Sequence, residues 1–265
     1  MPRTTRDLIS TVREIIGILP VTVFFLSSQV QGGELIVKGP SAEEVVNRMI
    51  EMNRSRAARL PQYTSQRLYV VDNRHFAKKA EVAVQESYLN PDGKDLKVVS
   101  ATGSPFIQHN VIDKLIEAEI EATRDENRDQ THITPQNYRF RFLRTEEIND
   151  HSCYVLEVTP KVPKKYLMRG RIWVDVAEFA IVRMEGSPAK NPSFWTRKVH
   201  FVRRYEKHGP FWLPSSLESE SEILIAGTST LKIEYFAYQI GAEAVSANER
   251  TLSPSQEFVD GRPRP

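Results

Sequence analysis

Cysteine is almost absent: of 265 residues only Cys153 is one. An intramolecular disulfide is therefore excluded, as are thiolate zinc sites built on CxxC pairs. Glycine is sparse, at 12 residues, and none falls in GxGxxG or GxxxxGK[ST] spacing, so no nucleotide loop is encoded. Neither charge is in excess. Lys and Arg number 36 against 34 Asp and Glu, which leaves no basic surplus for gripping a nucleic-acid backbone. The GxSxG nucleophile motif is missing. Six histidines (His75, His109, His132, His151, His200, His208) form neither HExxH nor an HxH pair and read as surface residues. The expectation on these grounds is that no motif carries catalysis and no cluster holds a metal. What is present is globular: 40% hydrophobic and 26% charged residues, enough for a sizeable core.

Residues 1–32 have the three-part order of a secretory signal peptide. Arg3, Arg6 and Arg13 precede the apolar run Ile15–Leu26, and the small, polar stretch SSQVQG follows. The run is about 18 Å long as a helix against ~30 Å of hydrocarbon, and Pro20 sits inside it, so a membrane span is disfavoured. A buried helix of the mature fold is the alternative. The export reading implies cleavage between residues 27 and 34 and a periplasmic protein.

Downstream, Ser41 and Glu44 are spaced as a capping box. Val45, Val46, Met49, Ile50, Ala57 and Leu60 then recur at helical spacing, predicting a helix over 41–60 that stops at Pro61. Most of the rest alternates with period two. Strands are predicted at 63–71, 79–90, 94–102, 136–144, 153–159, 166–176, 179–186, 197–207, 211–225 and 228–240, with a turn at Pro91-Asp92-Gly93. A second helix is predicted over 109–127 from Ile112, Leu115, Ile116 and Ile120, flanked by Gly103-Ser-Pro105 and Thr134-Pro135 as hinges. Residues 242–265 show no apolar period and read as a disordered tail.

About ten antiparallel strands in one sheet must curl or close, and their apolar face needs a cover. The expected class is mainly β (α+β): a curled antiparallel sheet forming a half-open barrel, covered by two or more helices, over residues 33–241. Such a fold can enclose an apolar cavity suited to lipid or acyl chains. Alternation on strands and i, i+4 spacing on helices assign its lining to Phe140, Phe142, Leu156, Ile172, Val174, Phe201 and Ile233 below, with Val46, Ile50, Ile112 and Ile116 above. Arg139 and Arg141 should then face outward.

Other constellations have plainer readings. Glu218, Glu220 and Glu222 read as a solvated strand face, because a calcium site would need oxygens from other segments. Arg197, Lys198, Arg203 and Arg204 read as an exposed basic patch, with anionic headgroups as the alternative. Trp173, Trp195 and Trp212 fit either core or ligand wall.

Three stretches carry a family resemblance. They are Gly170–Asp175 (GRIWVD) with Phe179–Glu185 (FAIVRME), Tyr205–Pro214 (YEKHGPFWLP), and Thr230–Ile240 (TLKIEYFAYQI). In this order, with the helix at Ala42–Leu60, they resemble the outer-membrane lipoprotein carrier superfamily (LolA-like), especially the outer-membrane lipoprotein-sorting proteins. The resemblance implies a half-open barrel with helices over its mouth, acyl chains as ligand and no cofactor. It implies lipid or acylated lipoprotein as partner, with inner- and outer-membrane transport partners. A lipid- or lipoprotein-sensing regulatory module of the same fold is the alternative.

Overall fold

The computed structural model describes residues 39–89, 93–123, 131–191, 196–224, 227–241, 258–259 and 262–263. The signal segment, the turn residues Pro91 and Asp92, Trp195 and most of the tail lie outside the described residues.

Helix α1 spans Ala42–Arg59. Its start is fixed by the capping box: the Ser41 hydroxyl accepts from the Glu44 amide at 3.2 Å, and the Glu44 carboxylate accepts from the Ser41 amide at 2.7 Å. Strands β1 (Tyr63–Asn73), β2 (Lys78–Leu89) and β3 (Gly93–Gly103) form a meander. A continuous helical segment follows: α2 (Pro105–Ile107), a π-turn over Gln108–Ile112, and α3 (Asp113–Thr123). A second meander runs from β4 (Tyr138–Ile148) through β5 (His151–Pro160), β6 (Met168–Asp175), β7 (Ile181–Pro188), β8 (Thr196–His208) and β9 (Phe211–Ile223) to β10 (Gly227–Ile240). The short strands β11 (Phe258–Val259) and β12 (Arg262–Pro263) pair only with each other.

The ten long strands make one antiparallel sheet in the order β3-β2-β1-β10-β9-β8-β7-β6-β5-β4. Strand β1 pairs with β10, which joins the two meanders, and β3 and β4 are left as the two edges. The sheet is thus open, not a closed barrel. Register shifts interrupt the β1–β10, β2–β3, β4–β5, β6–β7 and β8–β9 pairings, and such bulges bend strands and increase their twist. The predicted strands match these within a few residues.

Both helical segments pack on the same face of the sheet, here called the inner face. Helix α1 buries Val45, Val46 and Met49 against Leu156, Val158, Ile172 and Val174 of β5 and β6. The 105–123 segment buries Ile107, Ile112 and Ile116 against Tyr69, Val71, Val82, Val84, Ile233 and Tyr235 of β1, β2 and β10. A smaller apolar cluster lies on the outer face, where Cys153, Val155, Trp173 and Val182 pack with Leu143, Ile148 and Trp212. Leu68 and Ala83, paired across β1 and β2, are also buried on this face, while its β8–β9 part is wet. Glu218 and Glu222 pair across strands with Arg204 and Lys198, at 3.1 and 3.9 Å, and pairs of this exposed kind are worth little.

Two helix expectations need correcting. The second helix begins at Pro105, four residues before the predicted start. Proline is suited to the first helical position, where its missing N–H costs nothing, and Leu115 is exposed. On α1 the buried position of the last turns is Arg56, and Ala57 faces solvent. The Arg56 guanidinium donates to the Glu178 and Phe179 carbonyls at 2.9 and 3.2 Å, which ties the end of α1 to the β6–β7 turn.

Candidate functional site

The residues assigned to a lipid cavity all stand on the inner face, in two groups. Phe140, Phe142, Leu156, Ile172, Val174 and Phe201 lie under α1 with its Val46 and Ile50. Ile233 lies with Ile112 and Ile116 of the 105–123 segment. Arg139 and Arg141 are exposed on the opposite face. Leu156, Ile172, Val174 and Ile112 are fully buried, so their role in the fold is helix-to-sheet packing. Between the two cores, burial relaxes. Met184 on β7, Phe201 and Arg203 on β8, Leu217 on β9 and Leu231 on β10 are half-buried. They form a strip of the inner face flanked by the two helical segments. A separate cavity of about 420 Å³ lies away from this strip, lined by Glu157, Pro160, Pro163, Arg169, Arg171 and Ala189 among others, and contains none of the assigned residues.

Beneath α3 the inner face carries a buried charge network. Arg67 on β1 and Glu86 on β2 are 0% and 1% exposed and pair at 2.7 Å. The Arg67 guanidinium also donates to both Glu119 oxygens, at 2.7 and 3.1 Å, and so ties α3 to the sheet. Lys94 on β3 reaches Glu86 at 3.0 Å and Glu119 at 3.3 Å. Ser65 and Tyr63 donate to the remaining Glu86 valences at 2.7 and 3.2 Å. Burial alone would push both carboxyls up, but Lys94 and Arg67 outweigh it. Glu86 is held below the usual carboxylate range and Glu119 at about 2. For Arg67, burial is likewise outweighed by Glu119 and Glu86, and its charge is locked on.

Arg203 does not belong to the exposed basic patch. Arg197 and Lys198 are exposed and Arg204 faces outward towards Glu218, but the parity of β8 puts residue 203 on the inner face with Phe201. That parity was readable in the run Phe201-Val-Arg203-Arg-Tyr205, whose apolar partners mark the inner side. The Arg67 network left no such mark. Its members are spread over β1, β2, β3 and α3, and a lone charge on a strand reads as solvated until its partner is placed.

The other constellations serve structure. Asp175 closes the β6–β7 turn by accepting from the Ala177 and Glu178 amides at 2.9 and 2.6 Å, and sits 3.0 Å from His151. Glu178 accepts from the Trp212 indole at 2.9 Å. Trp173 is outer-face core, and burial pushes the Cys153 thiol up to about 12. Among the described residues no group of three or more His, Cys, Asp or Glu side chains could hold a metal. No described helix is long and apolar enough to cross a membrane.

A protein-family model described only as "Uncharacterized protein" matches residues 123–253. No curated protein matches the chain. Among solved structures, the chain is similar to a DUF1329-family protein from Desulfovibrio piger, with 14% identity, 76% of this chain and 94% of that chain covered, and a TM-score of 0.40. It is also similar to a LolA superfamily protein from Nitrosomonas europaea, with 13% identity, 76% and 94% coverage and a TM-score of 0.36. A third is a Vibrio parahaemolyticus domain described as an outer membrane lipoprotein-sorting protein, with 14% identity, 78% and 99% coverage and a TM-score of 0.37.

Proposed function

We propose that this chain is a periplasmic binding protein that takes acyl chains on the inner face of its sheet and carries them towards the outer membrane. The observation that carries the reading is the half-buried strip of Met184, Phe201, Leu217 and Leu231 between two separately packed helical segments. An acyl chain laid along that strip would replace water against apolar side chains, at about 0.8 kcal/mol per methylene. A chain of ~14 carbons would gain roughly 10 kcal/mol before ordering costs. Lifting one helical segment would extend the strip onto Ile233 or onto Leu156, Ile172 and Val174. The export part of the proposal rests on the basic, apolar, then polar order of residues 1–32.

Native mass spectrometry of protein purified from its own cell envelope tests this. The expected result is a complex heavier than the chain by one or two acyl-bearing molecules, lost on delipidation and regained from added lipid. A chain that carries none, and takes up no fluorescent fatty acid, overturns the proposal. Tethering the 108–112 turn to β2, on which it packs, by an engineered disulfide should slow exchange of that probe, with recovery on reduction.

A further inference from the structure

The strip between the two helical segments is apolar apart from Ser219, which lies between Phe201 and Leu231, and it carries one charge, Arg203. Arg203 is flanked along β8 by Phe201 and Tyr205 and across the sheet by Met184 and Leu217, its registered partners on β7 and β9. Its Nε is fully buried and has no hydrogen-bond partner, and among the described residues Arg203 makes no ion pair. The contrast with Arg67 is direct, since that guanidinium is matched by Glu86 and Glu119. Arg203 lies against the ring faces of Tyr205 and Tyr235, with Cζ 5.4 and 6.0 Å from their centroids, and Glu119 acts on it through space without an ion pair. Aromatic faces attract a cation but leave its N–H donors unsatisfied. Counting the charges on this part of the inner face, Arg67, Lys94 and Arg203 stand against Glu86 and Glu119, so one positive charge is left over.

We propose that Arg203 anchors the head group of the bound amphiphile, and that this head group is an oxyanion, a carboxylate or a phosphate, rather than a neutral glyceride. The inference rests on the proposed acyl-binding function and names its ligand class. A planar guanidinium fork suits either oxyanion bidentately. Phe201, Met184 and Leu217 offer apolar contact to the first methylenes of the tail. Glu119, the acid that binds Arg67 from α3, shows that an oxyanion is accommodated at the neighbouring arginine.

The test uses delipidated protein and two probes with one tail: dansyl-undecanoate and its methyl ester. The free acid should bind at least about tenfold more tightly than the ester, the size of one good charge-assisted contact. In Arg203→Met the acid should fall to the affinity of the ester, whose own binding stays unchanged. Arg203→Lys should keep part of the preference, and a native circular dichroism spectrum and melting point confirm folding of each variant. Competition with unlabelled fatty acid and with lysophosphatidic acid of matched chain length then separates a carboxylate source from a phosphate one. Equal binding of acid and ester to the unmodified protein overturns the anchor and leaves acyl binding standing, as does a Met variant that weakens both alike. Failure of both probes to bind overturns the acyl-binding reading and the anchor with it.

Discussion

The two helical segments rest on the same sheet by different means. Helix α1 is held mainly by apolar contact, with Val45, Val46 and Met49 on Leu156, Ile172 and Val174, joined by Arg48 over the Phe179 ring at 5.5 Å and by the Arg56 bonds to the Glu178 and Phe179 carbonyls. The 105–123 segment combines a comparable apolar patch with a charged one, in which Glu119 reaches the buried guanidinium of Arg67 and the half-buried ammonium of Lys94. Apolar packing is non-directional and indifferent to ions. A buried ion network holds only while every member is present and correctly charged. On this difference the 105–123 segment is expected to be the one that an anion or a change of pH releases, with α1 as the fixed wall.

The largest effect is expected where the charged half is broken at its centre. Arg67→Met leaves Glu86 buried with Lys94 as its only charged partner and frees Glu119 from its bidentate contact. Removing one member of a buried pair costs about 3–5 kcal/mol, measurable by urea unfolding. Adding Glu86→Leu should recover part of the loss, because the orphaned charge is then gone. A single-variant loss below about 1 kcal/mol would show that the network is not what fastens this half.

Leu156→Ala attacks the other half. Leu156 is completely buried under α1, and deleting a buried leucine to alanine costs about 2–5 kcal/mol through lost transfer energy and the cavity left behind. Native-state hydrogen exchange should rise in 42–59 more than in 105–123. Equal rises in both would mean that the two halves unfold as one unit and that the comparison is only geometric.

Much of this division could be read from sequence. Period-two runs such as Tyr138-Arg-Phe140-Arg-Phe142 give both the strand and its face, because one side must be wet. The Ser41–Glu44 spacing places the start of α1 to the residue, since a capping box is a local device. What the sequence does not mark is non-local or polar. The partner of Arg67 on α3 is 52 residues away in sequence. Arg56 looks solvent-facing until the Glu178 and Phe179 carbonyls are brought beside it. Arg203 was hidden by its neighbours Arg197, Lys198 and Arg204, which suggest a basic patch although strand parity separates it from them.

Acid should open the charged half selectively. The Glu119 carboxyl titrates at about 2 in the folded chain against an ordinary 4.5, and Glu86 is displaced in the same direction. A depressed folded pKa means a contribution fully present above about 4.5 and lost progressively as pH falls towards 2. Limited pepsin digestion at about pH 3, inside this window, should therefore cut within 105–123 before 42–59. Preferential cutting of α1 under those conditions would reverse the assignment of fixed and releasable segments.

The smallest expected effect sharpens the α1 side. The Ser41 hydroxyl satisfies one first-turn amide, and the Glu44 carboxylate satisfies the Ser41 amide in return. Ser41→Ala removes the first bond and leaves the second. The freed Glu44 amide lies at an exposed helix end where water can reach it, so the loss belongs near ~1 kcal/mol and not with buried-group costs. For a chain of this size that is a fall in melting temperature of roughly 2–4 °C. Ser41→Gly, which keeps the N-cap backbone accessible to solvent, should cost only a few tenths of a kcal/mol. Neither variant should alter probe exchange if α1 is the fixed wall, because fraying its first turn leaves Val46, Met49 and the Arg56 tie in place. Faster exchange of dansyl-undecanoate in Ser41→Ala, with the 105–123 segment untouched, would show that the ligand enters beneath α1 instead.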